Sequence, residues 1–124
     1  MRLNNRKIII TGASKGIGAA SARLFAAEGA SLVLTARNTA DLESVADEVR
    51  RLGRTVGTIC GDVTDPSDCE AIATFAKETL GAIDGLFNNA GGAIDSDAGT
   101  VGTPYETWRK IICTNLDSVF LMSK

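Results

Sequence analysis

Short apolar runs alternate along the chain with longer stretches in which apolar residues return every three or four positions. The run KIIIT, 7–11, is β-branched and stops at Gly12, which predicts a buried strand. IGAASARLFAAEG, 17–29, has helical spacing, with Ile17, Ala20, Leu24 and Ala27 on the expected inward face and Gly29 as its stop. SLVLTA, 31–36, predicts a second strand. TADLESVADEVRRLG, 39–53, predicts a second helix facing inward through Leu42, Val45, Ala46, Val49 and Leu52. Its early acids and late Arg50 and Arg51 suit the helix dipole, and Gly53 ends it. TVGTIC, 55–60, predicts a third strand. DPSDCEAIATFAKETLG, 65–81, predicts a third helix with Asp65 as N-cap, Pro66 in the first position and Gly81 as stop. IDGLFNNAG, 83–91, predicts a fourth strand ending in a polar turn. TPYETWRKIICTNLDSVFLMSK, 103–124, predicts a fourth helix, with a Thr103–Glu106 capping box and Pro104 in the first position.

Strands alternating with helices imply parallel strands joined by right-handed crossovers. The expected fold class is α/β, a Rossmann-like doubly wound parallel sheet, truncated to about four strands and four helices. The last helix has pairs Ile111/Ile112, Asn115/Leu116 and Val119/Phe120 at four-residue intervals, with no Gly or Asn cap and no Pro. That pattern carries the expectation of a helix interrupted in mid-course, in a chain that is the front half of a longer one.

Composition narrows the function. At 124 residues, 44% hydrophobic and 23% charged, the chain suits one domain burying roughly two-thirds of its extended surface. The net charge of −2 and the lack of a basic patch argue against nucleic acid as a partner. There is no histidine, which excludes a His-based triad or a zinc hydrolase within this chain; no metal is expected. Cys60, Cys69 and Cys113 lack CxxC spacing, so each reads as a small buried hydrophobe in a reducing, cytoplasmic compartment. No apolar run is long enough to span a membrane or form a signal-peptide core.

In such sheets ligands bind at the carboxyl ends of the strands. After the first strand comes TGASKGIG, 11–18, with Gly12, Gly16 and Gly18 spaced G-xxx-G-x-G. Glycines let backbone approach a pyrophosphate, and a helix starting near Ile17 offers free N–H groups and a positive dipole end. After the second strand comes Ala36-Arg37, with no carboxylate to hold a ribose 2′-OH. Arg37 suits a 2′-phosphate through charge-assisted bonds, and Lys15 adds a second cation, so NADP is expected over NAD. Asp62, with Val63, follows the third strand and is placed to accept from an adenine amino group. NNAG, 88–91, follows the fourth, bringing Asn89, Ala90 and Gly91 toward the cofactor.

These motifs, in this order, resemble the short-chain dehydrogenase/reductase family. TGASKGIG, including Ser14, is similar to its cofactor turn, DV to its adenine contact, NNAG to its fourth-strand motif, and TN at 114–115 to its fourth-helix asparagine. The resemblance implies an oxidoreductase moving hydride between nicotinamide and a small-molecule carbonyl or alcohol. It implies a catalytic tetrad of Asn, Ser, Tyr and Lys, of which only Asn115 is expected here, holding a water in a proton relay. Residues 1–124 are then an NAD(P)-binding half-domain, inactive by itself; the alternative is a stand-alone NADP-binding regulatory or assembly module. Tyr105 and Arg109 imitate a Tyr-xxx-Lys pair, but Tyr105 precedes Asn115 instead of following it. A fourth strand without a fifth would be an open edge, and the Trp108, Ile112, Val119 and Phe120 region would lose cover. Self-association, as a homo-oligomer, is therefore expected.

Overall fold

The computed structural model describes residues 1–92 and 99–124. Four strands form one parallel sheet: β1 (Lys7–Thr11), β2 (Ser31–Ala36), β3 (Val56–Cys60) and β4 (Gly85–Phe87). Their order is β3-β2-β1-β4, so the glycine-turn strand lies inside the sheet and β4 at an edge. β1 pairs with β2 over its whole length, Lys7 to Ser31 through Thr11 to Thr35, but with β4 only from Ile8 to Ile10. Asp84 anchors the start of β4: its N–H donates to the Lys7 carbonyl at 2.7 Å and its carboxylate accepts from the Lys7 N–H at 2.9 Å.

Helices cover both faces, as the doubly wound expectation requires. On one face α1 (Gly16–Ala27) and α2 (Thr39–Arg51) pack Ala19, Ala22, Ala26, Leu42 and Val49 over Ile10, Leu32 and Leu34. On the other, α3 (Pro66–Leu80) packs Cys69, Ile72 and Ala76 over Ile9 and Val33. The alternation of Leu32, Val33 and Leu34 between the two clusters follows from the two-residue period of a strand. Each fully buried Leu or Ile contributes about 1.5–3 kcal/mol.

Two helix faces differ from the pattern read in the sequence. α1 turns Gly18, Ala19, Ala22 and Ala26 inward, not Ile17, Ala20, Leu24 and Ala27, all of which are exposed. Small residues win because the sheet lies close. The one large α1 side chain packed against that core is Phe25, whose ring lies 6.1 Å from that of Phe87. Leu52 is the C-cap of α2 and is likewise exposed. Cys69 is buried as expected, whereas Cys60, at the open end of β3, is exposed.

The C-terminal region departs furthest. The fourth strand is three residues, not 83–91, and the fourth helix is not continuous. A short α4 (Gly99–Gly102) precedes α5 (Tyr105–Ile112), a π-helical segment (Cys113–Asp117) and α6 (Ser118–Ser123). Pro104 is the N-cap of α5, and no capping box forms, because the Thr103 hydroxyl donates to the Gly99 carbonyl at 2.6 Å. The π segment has an identifiable cause. The Ser118 N–H reaches back to Cys113, while its hydroxyl donates to the bypassed Thr114 carbonyl at 2.7 Å. The Asn115 side chain likewise donates to the Ile111 carbonyl at 2.9 Å.

Candidate functional site

The carboxyl ends of all four strands open into one cleft enclosing about 630 Å³. It brings together Gly12, Ser14 and Lys15 after β1, Arg37 after β2, Asp62 and Val63 after β3, and Asn89, Ala90 and Gly91 after β4. Gly16, Ile17, Gly18 and Asn115 stand outside its lining.

The three glycines of the turn do different work. A Cβ on Gly12 would lie 2.9 Å from the Ala90 Cα, and one on Gly18 would collide with the Gly12 carbonyl and lie 2.6 Å from Asn89 Nδ2. Both are small so that the turn can close onto the end of β4. Gly16 has φ 57° and nothing within 4 Å of its Cβ position, so its freedom serves the turn's shape over open space. Thr11 ties the two segments together: its hydroxyl oxygen accepts from the N–H of Asn89 at 3.0 Å and of Ala90 at 2.9 Å. Asn89 Nδ2 donates to the Thr11 and Gly12 carbonyls at 3.3 and 3.2 Å, so its amide nitrogen holds the turn.

Helix N-termini differ in a way that bears on ligands. α2 is capped by Asn38, whose side chain accepts from the Asp41 N–H, and α3 by Asp65, which accepts from the Ser67 N–H. Both carry an acid in the first turn. α1 has neither: Lys15, its N-cap, gives no side-chain bond, and no acid follows. Among the described residues no side chain caps its first N–H groups, and this dipole end lies beside the cleft that Lys15 lines.

Asp62 is fixed as an Asx turn. Its Oδ1 accepts from the Thr64 hydroxyl at 2.7 Å and the Thr64 N–H at 2.9 Å, while its own N–H donates to Asp68 at 2.8 Å. The Thr64 bonds, with a smaller contribution from the Arg37 charge, hold its carboxyl below the usual aspartate range. Burial pushes the Cys69 thiol up, so it stays protonated and donates to the Val63 carbonyl at 3.3 Å.

Asn115 clamps the turn after β4. Its Nδ2 donates to the Gly92 carbonyl at 2.7 Å and its Oδ1 accepts from the Gly92 N–H at 3.1 Å. Tyr105 stacks on Trp108 at 5.9 Å and lies outside the cleft lining. Sequence reasoning missed Thr35, Asn38 and Thr64, and the wall formed by Arg109 and Lys110 of α5 with Cys113 and Thr114 of the π segment. The signal for that wall was the spacing of 110, 113 and 114, which share a helix face. Among the described residues no group of three His, Cys, Asp or Glu side chains is arranged for a metal ion, and no helix is long and apolar enough to cross a membrane.

A parallel sheet wound on both faces, opening at a glycine turn and an uncapped helix, defines a protein of the Rossmann-like α/β class. The family model for short chain dehydrogenases matches residues 6–124, and the chain belongs to that family. It is 39% identical to an uncharacterised oxidoreductase of Bacillus subtilis, over 99% of this chain and 45% of that protein. It is 37% identical to a cyclohexanol dehydrogenase of Acinetobacter, over 96% of this chain and 47% of that protein. A solved short-chain dehydrogenase/reductase of Serratia marcescens superposes with a TM-score of 0.92 at 31% identity, over 99% of this chain and 50% of that one. The chain spans about half the length of the curated relatives it matches.

Proposed function

We propose that residues 1–124 form the nucleotide-binding half-domain of an NADP-dependent oxidoreductase acting on a small alcohol or carbonyl compound. The observation that carries this reading is the uncapped, acid-free N-terminus of α1 beside a cleft lined by Lys15 and Arg37. A pyrophosphate supplies the acceptors and negative charge that this helix end lacks. Ala36 ends β2 where a carboxylate would favour the ribose 2′-OH of NAD, and the Arg37 fork suits a 2′-phosphate. Asp62 is ionised and pre-set to accept from the adenine amino group, with Val63 and Ala90 as apolar cleft walls.

When bound, the nicotinamide supplies hydride transfer to or from the substrate carbon. This chain's residues bind and orient it. Thr11, Gly12, Gly18 and Asn89 hold the glycine turn to the end of β4, and Asn115 fixes Gly92 behind it. Asn115 is the tetrad member in this reading, with its amide already committed to backbone. Tyr105 takes no part, since it stacks on Trp108 away from the cleft. The cyclohexanol dehydrogenase among the relatives supports an alcohol or ketone substrate class. We place the protein in the cytoplasm and expect homo-oligomers, because β4 is an edge strand and Trp108, Leu116 and Phe120 are exposed beyond it in the chain.

Fluorescence titration tests the reading. NADPH binds more tightly than NADH, and Arg37→Ala removes the difference; equal wild-type affinities would overturn the NADP preference. With NADPH and simple ketones the 124-residue chain shows binding without turnover.

A further inference from the structure

From Gly99 to Lys124 a single residue is buried, and it is polar: Ser118, at 3% exposure. Burying a hydroxyl is costly unless it is bonded. This one bonds its own helix, donating to the Thr114 carbonyl at 2.7 Å. A helix packed for the core alone would be better served here by alanine, the stronger helix former with no polar group to satisfy.

Asn115, three residues earlier, is exposed and faces the turn after β4. Its amide grips Gly92 twice, donating to the carbonyl at 2.7 Å and accepting from the N–H at 3.1 Å. The fit is close: a Cβ on Gly91 would lie 2.5 Å from Asn115 Oδ1. Such a grip needs the Asn115 backbone at a fixed angle about the helix axis, and the π turn sets that angle. In an α-helix the Ser118 N–H would pair with the Thr114 carbonyl. Here it reaches Cys113, and the Ser118 hydroxyl takes the bypassed carbonyl instead. A π turn winds less per residue than an α turn, so it sets Asn115 and Ser118 farther apart around the axis. One then faces Gly92 while the other stays buried. Without the hydroxyl, the Thr114 carbonyl would regain a helical donor by returning to the α pairing with the N–H of residue 118. That return closes the angle between the two positions and pulls Asn115 off Gly92.

We propose that Ser118 is a positioning residue for Asn115: its hydroxyl stabilises the π turn against the α-helical alternative and so holds the Asn115 amide on Gly92. For its consequence in catalysis the proposal rests on the reading of Asn115 as the tetrad member. Its structural content rests on the bonds of the free chain.

The test is amide hydrogen exchange, read by NMR on the free 124-residue chain. Ser118→Ala speeds exchange at the Gly92 amide about five- to tenfold, the scale of one hydrogen bond. It also shifts the side-chain amide signals of Asn115, while Leu32, Val33 and Leu34 of β2 keep their wild-type protection. Asn115→Ala gives a similar rise at Gly92 by itself. Adding Ser118→Ala to it speeds Gly92 no further, because the two residues act on one contact. An unchanged Gly92 rate in Ser118→Ala overturns the proposal. So does an additive rise in the double variant, which would mean that Ser118 acts on the turn without Asn115. Equal loss of protection at Gly92 and in β2 overturns it too, since Ser118 would then be a general core residue. Failure of the chain to bind NADPH would remove the nucleotide reading; the exchange results decide the positioning of Asn115 separately.

Discussion

β1 has two parallel neighbours, and they are unequal. β2, on one side, has Leu32, Val33, Leu34 and Thr35 at zero exposure, with helices over both faces. β4, on the other, is three half-buried residues, covered by Phe25 on one face and by Leu121 and Met122 of α6 on the other. The hydrogen bonding to β1 is of the same kind in both. What differs is the helix layer, so strand pairing alone does not bury a sheet; the crossover helices do. The cleft is arranged around the same asymmetry: its cations Lys15 and Arg37 follow β1 and β2, and the β4 side contributes a turn clamped by Asn89, Thr11 and Asn115.

The largest expected effect tests the packing contrast itself. Leu34→Ala removes a fully buried side chain from the core beneath α1 and α2 and costs about 2–5 kcal/mol in urea denaturation. Leu86→Ala, at a half-buried position of β4 on the opposite face, costs less than half as much; equal losses would mean that the β4 side is as closed in solution as the β2 side. Gly18→Ala strikes the seam between the two sides. Its Cβ collides with the Gly12 carbonyl and presses on Asn89, so it loses about 1–3 kcal/mol and nucleotide binding together. Normal NADPH binding by the Gly18→Ala variant would show that the turn tolerates being pushed off β4. Asn115→Ala releases the Gly92 clamp at a cost of about 1–2 kcal/mol. The checking measurement is hydrogen exchange at the Gly92 amide, which loses protection if the clamp is what holds it. Phe120→Ala, at 67% exposure, changes stability by less than about 0.5 kcal/mol. A large loss there would reveal self-association covering α6.

The smallest effect concerns Asp62. Its folded pKa lies below the unfolded value, so its ionised form adds stability above the ordinary aspartate range, lost as pH falls through the folded value. Thr64→Val removes the leading cause and raises the Asp62 pKa, read by carboxyl NMR titration. An unmoved pKa would make the Thr64 backbone N–H, which valine keeps, the dominant influence.

The sequence displayed strands better than helix faces, and the N-terminal part better than the rest. β1 and β2 have the predicted limits because each β-branched or apolar run is bounded by glycine or polar residues, and both their faces are buried. Asp65, Pro66 and Gly81 delimit α3 as read, since caps are local chemistry. The inward face of α1 was illegible by size, because close packing over the sheet selected alanine and glycine over Ile17 and Leu24. The α5 wall was illegible because its cleft-lining residues are polar and unburied, and apolar periodicity carries no trace of such a face. The glycine spacing located the turn, but only the folded structure distinguishes Gly12 and Gly18, squeezed by the chain itself, from Gly16, which has room.

The π segment is in effect a single spare residue stored in a helix. Each residue in an α-helix turns the chain by about 100°, so everything beyond Asp117 is held in a phase that an uninterrupted helix would not give. Ser118, Leu121 and Met122 face α3 and the sheet by virtue of that phase, while Leu116, Val119 and Phe120 look outward. Removing one residue from Cys113–Asp117 would leave the composition nearly unchanged and rotate the distal end like a mis-set dial, exchanging which side chains are dry and which are wet.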